Sequence, residues 1–168
     1  MGKRNLTTTF IKQCLADALF ELMKSFPYSE INVKEICYKS GIGRTTYYRH
    51  FDNKRGKRDL LIFKVINGWE EYCKLPETKK LLKINNSLAL LHYFYDMRPI
   101  FQLMEQNNVL QSSLSELFFF VFAPKNTNTL SEEYGRAFLA GGFYGITYHW
   151  IKNGFPISPD ELYELCNQ

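Results

Sequence analysis

The sequence predicts an all-α chain. Apolar residues recur at three- and four-residue spacing through most of the 168 residues, cap residues open these stretches while glycine or proline closes them, and no run alternates with the two-residue period of a strand. A hydrophobic fraction of 45% against 23% charged residues is enough apolar material for a packed core. Aromatic residues make up 16%, with 14 Phe and 11 Tyr, so that core should be rich in rings.

From Thr8 to Phe26 the residues Ile11, Leu15, Ala18, Leu19, Leu22 and Met23 mark a first helix, with Thr7 or Thr8 able to cap it and Phe26 and Pro27 ending it. A second begins at Asn32, whose side chain can cap while Glu35 reaches back; Val33, Ile36 and Cys37 form its inward stripe, and Ser40 and Gly41 stop it. After the Gly41 to Gly43 turn a third helix runs from about Gly43 to Phe51. The fourth leaves the basic DNKRGKRD segment and passes through Leu60, Leu61, Phe63, Val65, Ile66, Trp69 and Tyr72.

Beyond Pro76 a helix through Leu88 to Met97 halts before Pro99, a short one carries Phe101 to Met104, and SSLSELFFFVF forms an apolar helix ending at Pro124. The polar PKNTNT stretch is a linker. Thr129 with Glu132 opens the next helix, which runs to Asn153 and is closed by Gly154 and Pro156; Ser158, Pro159 and Glu161 open the last. The expectation is about nine helices in total.

Charge is uneven along the chain. Residues 1 to 74 hold 14 Lys and Arg against 8 Asp and Glu, a net +6, whereas residues 75 to 168 hold 7 against 9, a net −2. The first half is suited to meet a polyanion and the second is not. Cys14, Cys37, Cys73 and Cys166 are scattered without a CxxC and read as reduced structural thiols in apolar helical patterns. His50, His92 and His149 show no ligand spacing, so no metal or other cofactor is expected. The GIG and AGG triplets lack a preceding strand and a lysine, and neither a nucleophile elbow nor paired acids are found, so the chain does not read as an enzyme. The N-terminus lacks a signal-peptide core, and AFLAGGFYGITYHWI is shorter than the roughly 18 to 20 apolar residues of a spanning helix, so a cytoplasmic protein is expected.

One stretch stands out. GIGRTTYYRHF, residues 41 to 51, carries two arginines, two threonines and three aromatic rings and no acid. Two short helices joined by a glycine turn make a helix-turn-helix, whose second helix enters the major groove of DNA. At 100° per residue Tyr47 and Phe51 form the buried side of that helix, Arg44, Thr45, Tyr48 and Arg49 share one outward arc, and Thr46 and His50 flank the buried stripe. Arginine can fork onto guanine, threonine can meet a base edge, and Tyr, Thr and His can hold phosphates.

GIGRTTYYRHFDNK resembles the recognition-helix signature of the TetR family of bacterial transcription regulators, and INVKEICYKSG resembles the helix before it. YGRAFLAGGFYGITYHWIKNGFPISPDELYEL is similar to the last two helices of that family's regulatory domain. The resemblance implies an N-terminal helix-turn-helix DNA-binding head over residues 1–58, joined by the fourth helix to a small helical regulatory and dimerisation domain over 59–168. It implies a homodimeric repressor at a palindromic operator of double-stranded DNA, associated with the nucleoid. Arg44 and Thr45 then face bases, while Asn32, Thr46, Tyr48 and His50 hold phosphates. The family's phosphate-binding lysine is Lys54 or Lys57, because FDNK is followed by RGK before RDLL. These three extra residues are expected to lengthen the loop, with Arg55 and Lys57 either broadening the footprint on the backbone or standing as solvated charge.

Ala137, Gly141 and Gly145 lie four apart and make a smooth stripe flanked by Phe138, Phe143 and Tyr144, which the resemblance assigns to the dimer interface. A possible pocket for a small apolar effector is drawn around His92, Tyr95, Phe101 and Phe119. The alternative function is a co-activator or interaction protein whose C-terminal domain binds a protein partner instead of a small molecule.

Overall fold

Ten helices and no strand form among the residues that the computed structural model describes, which are 2–51, 55–121 and 129–167; of residues 2–7 and 119–121 it describes the backbone alone. Four belong to a first compact unit, Met1–Lys74: α1 (Gly2–Met23), α2 (Val33–Ser40), α3 (Arg44–His50) and α4 (Gly56–Tyr72). Six belong to a second, Leu75–Gln168: α5 (Pro76–Ile84), α6 (Asn86–Asp96), α7 (Arg98–Gln106), α8 (Leu110–Val121), α9 (Leu130–Lys152) and α10 (Pro159–Cys166). Thus α4 lies whole in the first unit, past residue 58.

In the first unit α1 packs on both α4 and α2, and α2 packs on α3. Leu15, Leu19, Ile36 and Leu60 are fully buried between them, with Ile31 and Leu61 almost so. Polar pairs stitch the outer seam of α1 and α4: Lys64 Nζ lies 2.6 Å from Asp17 Oδ1, and Asn67 donates to Gln13 at 3.1 Å. The capping box expected at α2 forms, with Glu35 N donating to Asn32 Oδ1 at 3.1 Å and Asn32 N to Glu35 Oε2 at 2.8 Å.

In the second unit α9 packs on α8 and α7, and α6 packs on α5 and α10. Phe94, Phe101 and Phe118 meet at its centre, with Phe94 and Phe101 centroids 4.7 Å apart. A second ring cluster joins Tyr95, Trp150 and Phe155, and Trp150 Nε1 donates to Ile157 O at 3.0 Å, tying the end of α9 to the approach of α10. The Ser158 and Glu161 box opens α10, and Gly154, at φ 76°, follows the end of α9.

Three expectations are corrected. α1 starts at Gly2, not at Thr8, because the sequence from Lys3 to Met23 holds neither Pro nor Gly to interrupt it. Ten helices replace nine: α5 is the addition, a short charged helix with Pro76 in its first turn and no side-chain cap at Leu75 to announce it. Of the four thiols, all free, only Cys37 is buried, and Cys166 is exposed.

Candidate nucleic-acid interface

The turn between α2 and α3 is built from local bonds. Gly41 adopts the left-handed conformation at φ 69°, which a side chain would strain, and its N–H donates to Tyr38 O. Ser40 Oγ donates to Cys37 O at 3.2 Å and accepts from Ile42 N at 3.3 Å, so one hydroxyl bonds both sides of the turn. Gly43 follows in extended backbone, and its carbonyl accepts the first helical N–H groups of α3, from Thr46 at 2.9 Å and Tyr47 at 3.0 Å.

α3 is sorted by face. Tyr47 is 1% exposed and Phe51 is buried, their rings 5.4 Å apart, and they anchor the helix to the unit. Arg44, Thr45, Tyr48 and Arg49 are exposed together, and Thr46 and His50 are half-buried at the margins. Tyr48 sets its ring edge-on against Tyr47 at 5.3 Å, which fixes the exposed ring with its hydroxyl outward of the anchor. α3 holds no acid, and its last turn carries Arg49 and His50. The arrangement presents cations, hydroxyls and rings from one rigid turn of helix, the chemistry that a polyanionic groove takes up.

Behind this face the chemistry is inert. Burial pushes the Cys37 thiol up, against a weaker opposing pull from Arg44, so it stays a small protonated side chain. Burial likewise drives the Tyr47 phenol up to about 12, with smaller contributions from Cys37 and Tyr48.

Asn32 is exposed at the start of α2, but its Oδ1 serves the helix cap, which places the residue at the DNA-side margin through a structural bond. Lys54 lies outside the described residues. Two residues that the sequence left unassigned prove central. Gly56 is buried, and a Cβ built on it would lie 2.4 Å from Tyr47 Oη and 3.0 Å from Phe51 Cβ. Lys57 turns inward, its Nζ donating to Tyr28 O at 2.9 Å and Ile31 O at 2.6 Å. The extra residues therefore do not all lengthen the loop, since Gly56 and Lys57 open α4. No sequence signal marked either contact, because their partners lie in other elements.

In the second unit Ala137, Gly141 and Gly145 are exposed, as are Phe138 at 80%, Tyr134 at 72% and Leu130 at 72%. Phe143 and Tyr144 are half-buried against their own chain, Phe143 against Phe118 and Tyr144 stacked on Tyr148. Between the end of α9 and α10 lies an apolar groove of about 500 Å³, lined by Gly145, Ile146, Trp150 and Leu165 among others.

The residues drawn as an effector pocket do not share one surface. Phe101 is fully buried among Phe94 and Tyr93, Tyr95 stacks on Trp150 under Arg98, and His92 Nε2 stands 3.2 Å from Asp160 Oδ2 at the start of α10. The His92 contact is not aligned as a hydrogen bond, so it attracts only when the imidazole is protonated. The Phe119 side chain lies outside the described residues. Among the described residues no group of three His, Cys, Asp or Glu gathers to hold a metal ion, and no helix is long and apolar enough to cross a membrane.

Residues 84–168, just over half of the chain, match the family described as the transcriptional regulator C-terminal region. No curated protein matches the chain significantly.

Proposed function

The chain belongs to the TetR family of transcriptional regulators, and from that premise we propose that its first unit is a sequence-specific DNA reader. The observation that carries this is the split of α3 into a buried Tyr47 and Phe51 side and an exposed side of Arg44, Thr45, Tyr48 and Arg49. Arg44 and Thr45 read base edges; Thr46, Tyr48, His50, Lys54 and the first turn of α2 around Asn32 hold phosphates and fix register.

The protein acts as a homodimer on a palindromic operator and represses by occupying it. Support for the second copy comes from α9 and α10, whose exposed large apolar side chains need a cover. A small apolar effector that binds among the rings of the second unit and lowers operator affinity completes the reading.

Selection of bound duplexes from a randomised pool, at two salt concentrations, tests it. Recovery of a palindrome supports the dimeric reader. Recovery of no motif, with binding that vanishes at higher salt, leaves a sequence-blind basic surface. In that case the exposed apolar face of α9 favours the second reading, an interaction protein whose C-terminal unit takes another protein.

A further inference from the structure

Lys57 sits in α4, one residue after the buried Gly56, and its side chain runs back toward the turn between α1 and α2. That turn is closed by Glu30 N donating to Pro27 O at 3.0 Å, and it leads through Ile31 into Asn32, the cap of α2. On the two sides of its exit, the carbonyls of Tyr28 and Ile31 converge on the Lys57 ammonium at 2.9 and 2.6 Å. The Tyr28 ring closes a third side, its centroid 4.5 Å from Nζ. Beside them is a cavity of about 310 Å³ lined by Asn32, Val33, Tyr47 and Lys57 among others.

This is a cation cage made by main chain and ring, and the chain supplies its own cation. An ammonium has three donors and no acceptor, so two carbonyls and a π-face satisfy it without a carboxylate. Burial lowers the Lys57 pKa, while Glu35 in the capping box pulls the other way. The carbonyls belong to the residues that set where α2 begins, and α2 carries α3 through the glycine turn.

We propose that Lys57 is a positioning residue of the DNA head, fixing the entry of α2 and hence the angle at which α3 meets the groove, without touching phosphate itself. The inference rests on the DNA-reading function proposed above. It assigns the extra residues a role: they reach back into the head and lock it. A lysine committed to two carbonyls inside the unit is not presented to a phosphate outside it.

The test uses the full-length protein, a duplex carrying the selected motif, and the variants Lys57→Met and Lys57→Arg, at a temperature where each is folded. Salt dependence separates the roles, because losing one phosphate contact flattens the slope of log affinity against log salt by about 0.9. For Lys57→Met we expect a lower melting temperature and an affinity reduced about tenfold at every salt concentration with the slope unchanged. Lys57→Arg should not restore it, because a planar guanidinium does not fit a cage that two carbonyls and a ring close around a compact ammonium. Should Lys57→Met fail to fold, Lys57→Arg alone still decides, since an arginine serves a phosphate as well as a lysine does. A flatter slope with full rescue by arginine overturns the proposal in favour of a direct phosphate contact. A lower melting temperature with wild-type affinity in the folded variant also overturns it, leaving a stabilising bond only, and so does the absence of any effect. Wild-type protein that selects no DNA sequence sinks the DNA reading itself, an outcome visible before any variant is made.

Discussion

Arg44 and Tyr48 stand one turn apart on the exposed side of α3, yet the chemistry of the two predicts different losses. A guanidinium that forks onto guanine distinguishes bases, so Arg44→Ala should cost about 1–3 kcal/mol on the preferred duplex and relax base preference at one position of each half-site. A phenol that donates to phosphate reads nothing, so Tyr48→Phe should weaken all duplexes alike; competition titrations against single-base variants of the selected site distinguish the two, and equal relaxation by both sinks these roles. The neighbour Tyr47 carries a prediction about pH. Its folded pKa is raised to about 12 from an ordinary 10.0, so the fold favours the neutral phenol. The associated stability is intact below pH 10 and is lost as pH climbs toward 12, on the order of 2 kcal/mol over that window. Tyr28 shifts the same way and Lys57 the opposite way, so the quantity to measure is the difference in urea stability between wild type and Tyr47→Phe, in which those shared contributions cancel. A difference that stays flat from about pH 9 to 12 contradicts the burial argument.

At the scale of the element, what the sequence announces depends on how local the bond is. Asn32 with Glu35 and Ser158 with Glu161 are boxes closed within three residues, so the starts of α2 and α10 were legible from spacing alone. α5 was not, since Leu75 offers no capping side chain and its short run is dominated by Lys and Glu. The α3 face was legible because a helical period fixes which residues share a side, whereas the Lys57 cage was not, because its acceptors are carbonyls 26 and 29 residues back and every residue has a carbonyl. The same holds for the junction of α3 and α4. Alanine at Gly56 gains about 1 kcal/mol of helix propensity, but its Cβ would press on Tyr47 Oη at 2.4 Å and Phe51 Cβ at 3.0 Å, both on buried residues. Overpacking of this kind costs about 1–3 kcal/mol, so Gly56→Ala should lower the melting temperature and weaken operator binding together. Adding Tyr47→Phe removes the closest atom and should recover part of the loss; a double variant that simply adds the two single costs shows that the clash is elsewhere.

At the scale of the whole molecule the open question is what covers α9. Leu130, Tyr134 and Phe138 follow one another at four-residue spacing and are 72%, 72% and 80% exposed, and Leu165 on α10 is 59% exposed. Gly141 and Gly145 lie on the same helix, and a Cβ built at either meets nothing within 4 Å. The chain's own packing therefore gives no reason for glycine there, while each weakens the helix by about 1 kcal/mol relative to alanine. A second backbone approaching that stripe supplies the missing reason, and it is the reason the homodimer reading requires. Gly141→Leu should accordingly leave the folded chain intact, or raise its helix stability, while blocking the approach; Phe138→Asp should do the same by placing a charge where apolar surface is to be covered. Sedimentation equilibrium should find the wild type near twice the chain mass of 19.8 kDa and both variants near that mass. Because two linked heads act at high effective concentration, losing the link should weaken binding to a full palindrome by about a hundredfold or more while leaving half-site affinity unchanged. Variants that remain dimeric place the interface elsewhere on the second unit. A wild type already at 19.8 kDa leaves the same exposed face to a different protein.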